Sequence, residues 1–431
     1  MKRIGWLALI ACGALFVVYA AFVVKELLLP LQGGGREGDG IPVVSAEDIK
    51  RGEYLAKIGN CAGCHTARGG DAFAGGHRIQ TPFGSVVATN ITPDKTHGIG
   101  AWSANDFHRA LREGRSKDGR LLSPAFPFTN TTHISRADSD AMYAYFIRGV
   151  TASSHANETG EMSWPYNSQL AIAIWRVFFF ERAKPVESAP TAPLERGAYI
   201  ANGLAHCSAC HGARNLLGAP IAERDYAGSM MPLNDWYAPS LHLLNEGSVT
   251  EWTVEEIITW LRVGINQKAS ALGPMADVVF KSTQFLDDTD AKALALYLKS
   301  LPVSQTSQAS KPDKSNTNAS SRGGELYATH CESCHGKNGE GQRGAFPALA
   351  GNRAVTMARH ENLIRITLEG GFAPGTAGNP APYGMTPFYH LLKDDEIAEV
   401  LTHIRSAWGN DAPPVTRLDM ANYRNKQRFK Q

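Results

Sequence analysis

A five-residue motif, Cys-x-x-Cys-His, occurs three times in this chain of 431 residues. Cysteines three positions apart lie on one face of a helical turn, so both can form thioether bonds to the vinyl groups of a single haem. The adjacent histidine can then offer a ring nitrogen to the iron. The motifs therefore predict three covalently bound c-type haems, with attachment sites at Cys61, Cys64, Cys207, Cys210, Cys331 and Cys334 and iron ligands at His65, His211 and His335.

Other uses of paired cysteines explain the pattern less well. Zinc would typically bring two such pairs into one short module, whereas these motifs are more than a hundred residues apart. A thioredoxin-like redox pair does not account for a histidine after every pair, and a disulfide within so short a loop would be strained. Seven cysteines are also too few for a disulfide scaffold in a chain of this length.

Similar sequences surround the three motifs, which indicates an internal repeat. A helical pattern precedes each motif, and a middle and a closing helical pattern follow it, the closing ones at 138–147, 288–298 and 393–404. Capping boxes are expected at Ser45/Asp48, Ser103/Asp106 and Thr253/Glu256, and glycine C-caps at Gly114 and Gly264.

The repeat predicts three small helical haem domains, at residues 45–155, 193–302 and 323–412. An aromatic connector at 156–192 and a flexible linker at 303–322, rich in Ser, Gln, Lys and Asn, separate them. A basic tail at 413–431 completes the chain and is expected to be a solvated end.

The N-terminus carries a membrane signal, assigned to residues 1–30. Lys2 and Arg3 precede an uncharged stretch at 4–24, whose 21 residues would span about 31 Å as a helix, close to the about 30 Å of a bilayer core. We expect an N-terminal transmembrane anchor, with cleavage as a signal peptide near 18–20 as the alternative. The basic pair would leave the rest of the chain on the periplasmic side of the bacterial inner membrane, in contact with its lipid.

Methionines in the loops before the closing helices are candidates for the sixth iron ligand. Met275 lies 64 residues after His211, and Met385 lies 50 residues after His335. A methionine at this position would raise the potential of the haem.

The first repeat lacks such a methionine, because Phe126 stands where it would be expected and phenylalanine cannot bind iron. His133 and Met162 are the possible substitutes, and an open position is the third possibility. Met142 falls in the closing helix and is expected to belong to the core.

The order of these features resembles the triheme cytochrome c subunit of bacterial membrane-bound dehydrogenases that oxidise alcohols, gluconate, fructose or aldehydes. The matching stretches are 74–76, 81–84, 89–94, 98–100, 164–165, 174–176 and 404–410. The resemblance implies an all-α architecture of three tandem class I cytochrome c domains. It also implies a role in passing electrons from a flavin, quinoprotein or molybdenum dehydrogenase subunit to ubiquinone.

No constellation for substrate chemistry is present: the chain has no nucleotide-binding glycine motif, no triad and no motif-placed pair of carboxylates. The net charge of +2 also argues against a nucleic-acid partner. Two alternatives to a dehydrogenase subunit stay open. One is a free-standing cytochrome that serves a terminal oxidase, and the other is a haem enzyme that reduces peroxide at an open first haem.

The stretch 164–180 is unusually aromatic, with Trp164, Trp175, Phe178, Phe179 and Phe180. Packing between the first two domains would explain it. The alternative is a surface that touches lipid, quinone or the catalytic subunit.

Overall fold

The computed structural model describes residues 17–27, 44–231, 235–304 and 317–428. The chain divides into two compact units. The first comprises Met1–Pro190, Tyr199–Ala209 and Arg214–Pro220, and the second comprises Thr191–Ala198, Cys210–Ala213 and Ile221–Gln431. The boundaries of the three expected haem domains stay a prediction.

The first unit is built mainly from helices. They are α1 (17–27), α2 (Ala46–Ile58), α3 (Cys61–His65), α4 (Ala104–Glu113), α5 (Phe128–Thr131), α6 (Arg136–Arg148) and α7 (Gln169–Phe179), with a π-helical turn at Ile200–Leu204. Strands β1 (Arg78–Thr81) and β2 (Gly84–Val87) form an antiparallel hairpin in which Arg78 pairs with Val87. Helices α8 (Pro193–Tyr199) and α9 (Ser208–His211) contribute residues to both units.

The second unit contains the remaining elements. Its helices are α10 (Val254–Val263), α11 (Pro274–Lys281), α12 (Asp288–Ser300), α13 (Thr317–His330), α14 (Glu332–His335), α15 (Arg353–Thr356), α16 (Glu361–Glu369), α17 (Asp394–Ser406) and α18 (Arg417–Arg428), with 3-10 turns at Ala222–Arg224 and Thr283–Phe285. Strands β3 (Ser229–Met230) and β4 (Tyr237–Ala238) form one antiparallel pair, and β5 (Gly371–Phe372) and β6 (Gly384–Met385) form another. Because the helical content over the described ranges is only 45%, the expected all-α class is too simple.

The predicted helix ends are confirmed. Ser45, Ser103 and Thr253 each accept a hydrogen bond from the backbone N–H three residues later, and the side chain at that later position accepts one in return. Gly114 and Gly264 end α4 and α10 in the left-handed region, with φ of 57° and 81°, which a residue without a Cβ adopts readily.

An Arg-Gly pair recurs where the first helix of each repeat crosses the closing helix. A Cβ on any of the three glycines would overlap a backbone carbonyl oxygen of the closing helix, and the preceding arginine pairs with a carboxylate of the same helix. The sets are Gly52 with Ala141 and Arg51 with Asp138, Gly197 with Ala293 and Arg196 with Asp290, and Gly323 with Glu399 and Arg322 with Glu396. Each of the three repeats therefore has the same kind of close crossing between its first and closing helices.

The expected N-terminal transmembrane segment is wrong, because the described ranges contain no helix that is both long and apolar enough to cross a bilayer. The described α1 covers 17–27, which at 1.5 Å per residue is about 16 Å, half of a bilayer core. The rest of the expected segment, with the basic pair Lys2 and Arg3, lies outside the described residues.

Helix α1 packs against α7 within the first unit. The rings of Tyr19 and Phe178 stack at 5.1 Å, and Val23 packs beside the buried Ile172. Near the C-terminal end of α1, the Glu26 carboxylate accepts hydrogen bonds from Arg176 at 2.8 Å and Arg115 at 3.1 Å. These arginines are 2% and 4% exposed, so Glu26 supplies the negative charge for two buried cations.

Replacement of Glu26 by alanine is expected to destabilise the protein by about 3 kcal/mol, because it leaves two buried guanidinium groups uncompensated. The measurement is the shift of the unfolding midpoint in urea. Glu158→Ala is the control: Glu158 pairs with Arg78 at 3.9 Å near the surface, and its loss should cost less than about 0.5 kcal/mol. Equal midpoints for the two variants would contradict a structural role for the Glu26 cluster.

The basic tail is not a solvated end over its described part. Helix α18 places Met420 and Tyr423 in the core of the third repeat, and Arg424 pairs with Asp394 at 2.8 Å. The expectation of a solvated end was wrong because charged residues dominate the composition of this segment. Met420 and Tyr423, three positions apart, nevertheless share one face of the helix.

Candidate haem sites

Each Cys-x-x-Cys-His motif ends in one short helical turn, within α3, α9 and α14. The six motif cysteines form no disulfide among the described residues. Burial, together with the neighbouring cysteine of the motif, raises the pKa of Cys61 to about 12 and that of Cys331 to about 11. Both thiols are therefore weaker acids than an exposed cysteine.

The three motif histidines share one hydrogen-bond geometry. The ring Nδ1 lies 2.7 Å from the carbonyl oxygen of Thr89 in His65, 2.7 Å from that of Pro239 in His211, and 2.9 Å from that of Pro347 in His335. Because a carbonyl oxygen only accepts, Nδ1 must carry the proton in each ring. The Nε2 lone pair is then left for a metal.

Burial favours the neutral form of the same rings. It lowers the pKa of His65, His211 and His335 below the ordinary value of histidine, and it outweighs the opposite effect of the backbone hydrogen bond. A neutral imidazole with a fixed tautomer and an oriented ring is the form that binds iron. The residues of all three motifs therefore fit a covalently attached haem with a histidine ligand.

The carbonyls that orient these rings were not predicted from the sequence. Thr89, Pro239 and Pro347 follow their histidines by 24, 28 and 12 residues, in loops of different length. A backbone carbonyl carries no side-chain signature. The acceptor is a proline in the second and third repeats but a threonine in the first, so the residue type does not identify it.

The two candidate methionines occupy different local structures in the second unit. Met275 is the second residue of α11, and Gly273, whose φ is 50°, stands immediately before that helix. Met385 is paired with Gly371 in the short β5–β6 ladder and packs beside the core of the third repeat. Both stand before the closing helices α12 and α17, and their binding to iron stays a prediction.

The candidates for the first repeat lie on separate elements. Met142 is 2% exposed within α6 and belongs to the core, as expected. His133 is exposed between α5 and α6, beside Gly203 of the π-helical turn. Met162 forms an isolated antiparallel bridge with Gly84 of β2, and its sulfur lies 3.9 Å from the Thr81 hydroxyl oxygen. The sixth ligand of the first site stays open between His133, Met162 and none.

The aromatic connector forms α7, which has two different faces. Arg176 and Ala173 are buried, whereas Leu170 and Ile174 are 53% and 41% exposed. Trp175 donates its indole N–H to the Leu217 carbonyl at 3.0 Å. Leu217 falls in the range expected for the second domain but belongs to the first unit. One face of α7 therefore packs against other residues of the first unit, and the other face lies at the surface.

Comparison with known proteins identifies the class of domain. Residues 320–408 match the cytochrome c family, and this range includes the third Cys-x-x-Cys-His motif. A cytochrome c domain implies covalently bound haem c. This agrees with the cysteine pair and the oriented histidine of that motif.

Relatives extend the similarity over most of the chain. The cytochrome c subunit of a quinone alcohol dehydrogenase from Gluconobacter oxydans is 37% identical over 380 residues, covering 85% of this chain and 79% of the relative. The cytochrome c subunit of gluconate 2-dehydrogenase from Pantoea cypripedii is 37% identical, covering 88% and 90%. The fructose dehydrogenase cytochrome subunit of Gluconobacter japonicus is 32% identical, covering 85% and 81%. The chain therefore belongs to the family of dehydrogenase cytochrome c subunits.

Proposed function

We propose that this protein carries three haems c and passes electrons from the catalytic subunit of a dehydrogenase to ubiquinone. The attachment residues are the cysteine pairs 61/64, 207/210 and 331/334, with His65, His211 and His335 as iron ligands. Met275 and Met385 are the proposed sixth ligands of the second and third haems. The proposed location is the periplasmic face of the bacterial inner membrane.

One observation carries the count of three. The same contact between histidine Nδ1 and a backbone carbonyl occurs at every motif, although the acceptor residues and loop lengths differ. A histidine that only filled space would not need the same tautomer and ring orientation three times. The repetition supports the same ligand role at each motif.

The haem and the residues that would hold it have different roles in electron transfer. When bound, haem supplies a one-electron couple between ferric and ferrous iron. The cysteine pairs fix the position of the group on each helical turn. The carbonyls of Thr89, Pro239 and Pro347 hold the histidine rings and keep their Nε2 atoms unprotonated.

The partner is proposed to be a catalytic dehydrogenase subunit of flavin, quinoprotein or molybdenum type. The support is the family, since the relatives are named as subunits of alcohol, gluconate and fructose dehydrogenases. Gentle isolation of the protein from its own cells, followed by mass spectrometry, should find one such subunit in equal amount. Oxidase subunits in its place, or no partner, would contradict the proposal.

The exposed face of α7 is proposed to take part in the contact with ubiquinone, whose isoprenoid chain is apolar. We expect the double substitution of Leu170 and Ile174 by serine to slow quinone reduction several-fold while haem content stays the same. Serine at Leu418, which is 67% exposed on α18, is the control for lost apolar surface elsewhere. Rates equal to wild type in the α7 variant would exclude this face.

A further inference from the structure

Near the acceptor carbonyl of each motif histidine, the backbone is hydrogen-bonded to an asparagine side chain. These asparagines come from different parts of the chain. In the first repeat, Asn90 follows Thr89, and its backbone N–H donates to Asn157 at 2.7 Å. In the third repeat, the Asn352 amide donates to the carbonyl of Ala348, which follows Pro347, at 2.8 Å. Asn352 belongs to the same repeat as His335, and Asn157 follows the first repeat directly in the chain.

In the second repeat, the asparagine that holds this backbone belongs to the third repeat. Asn362, in the first turn of α16, uses its side-chain amide twice on one residue of the second repeat, Tyr237. Its oxygen accepts from the Tyr237 backbone N–H at 2.8 Å, and its nitrogen donates to the Tyr237 carbonyl at 2.7 Å. Asn362 is only 9% exposed, so water competes little for these bonds.

Tyr237 lies two residues before the acceptor of His211. Strand β4 ends at Ala238, and the next residue, Pro239, accepts the Nδ1–H of His211. Glu246 of the same repeat accepts from the Tyr237 hydroxyl at 2.7 Å and the Ser240 backbone N–H at 2.8 Å. Pro239 therefore lies between two residues whose backbones are held by hydrogen bonds, Tyr237 by Asn362 and Ser240 by Glu246.

The other end of α16 supports the loop of Met385. Gly370 follows α16 directly, and the next residue, Gly371, pairs with Met385 in the β5–β6 ladder. Phe388 N–H also donates to the Thr367 carbonyl of α16 at 3.0 Å. One nine-residue helix therefore connects the support of His211 with the loop that carries Met385.

We propose that Asn362 is a positioning residue for His211, through which the third repeat sets the redox potential of the second haem. This inference rests on the proposed haem at Cys207 and Cys210. A strong hydrogen bond from Nδ1–H makes the imidazole a better donor and favours the ferric state. Loosening the Pro239 carbonyl therefore raises the potential of the second haem and leaves the first unchanged.

The test is a redox titration of the full-length, haem-loaded protein carrying Asn362→Leu, a substitution of similar volume that removes both hydrogen bonds. The wave of the second haem is assigned as the one lost when Cys207 and Cys210 are both replaced by serine. It should shift upward in Asn362→Leu, and by less in Asn362→Asp, which keeps the acceptor for the Tyr237 N–H. The low-spin electron paramagnetic resonance signal of that haem should change in parallel.

Thr367→Val is the matched control. Thr367 is also buried on α16, but its hydroxyl bonds only the Leu363 carbonyl of the same helix, at 2.9 Å, so the second wave should not move. An unmoved second wave in both Asn362 variants, with three haems present, would overturn this inference alone. Absence of haem from Cys207 and Cys210 in the wild-type protein would overturn the proposed function instead.

Discussion

Gly52→Ala is expected to destabilise the first unit by about 3 kcal/mol or more, although it adds a single methyl group. The added Cβ would overlap the Ala141 carbonyl oxygen and lie 2.8 Å from Tyr145 Cβ. Helix α2 would have to move away from α6, and the ion pair between Arg51 and Asp138 would be lost with it. Overpacking at a close backbone contact cannot be relieved by a side-chain rotation.

Gly70→Ala is the matched control for this substitution. Its Cβ would meet only Ala67, at ordinary contact distances of 3.4 Å and more, and its φ does not require glycine. Thermal unfolding followed by helical circular dichroism should show a large loss of stability for Gly52→Ala and a small change for Gly70→Ala. If both variants unfold at the wild-type temperature, the helix crossing is not as close as described.

Met385→His is expected to lower the potential of one haem by on the order of 0.1 V or more. The reason is that axial ligands set haem potentials over a wide range, and a methionine opposite histidine holds the potential high. A titration of the complete protein should show one wave moving down while the other two stay in place. Haem content should stay the same, because attachment depends on the cysteines.

Met420→Leu separates ligand loss from a general effect of changing a methionine. Met420 is fully buried in the core of the same repeat, and leucine has nearly the same volume. All three waves should keep their wild-type potentials in this variant. If Met385→His also leaves every wave unchanged, Met385 is not an iron ligand.

The parts of the fold that depend on local sequence could be predicted. Ser103 and Asp106 cap α4 because a short polar side chain satisfies free N–H groups within three residues, and Gly114 ends it because φ is positive there. The closing helices were also located to within two residues, as for Asp288–Ser300. These features need no information from distant parts of the chain.

The parts that depend on distant contacts were missed. Nothing in the sequence near His211 indicates that Asn362, 151 positions later, holds the acceptor of its hydrogen bond. The role of Glu26 was missed because its partner Arg176 lies 150 positions away. The uncharged stretch at 4–24 was interpreted from hydropathy alone, which takes no account of the packing of α1 against α7.

The first repeat shows the limit of prediction by position in a motif. Phe126 stands at the expected place and cannot bind iron, so the sequence alone excludes a methionine ligand at that position. The substitute cannot be chosen in the same way, because His133 and Met162 belong to different elements and their distances in sequence say nothing about their distances to iron.

The most direct test of the account is the intact mass of the protein isolated from its own cells, measured under denaturing conditions that remove every group not covalently bound. The account predicts the mass of the polypeptide plus three haems, and the loss of one haem when Cys207 and Cys210 are both replaced by serine. A protein with a single haem, retained when those two cysteines are replaced, would contradict it.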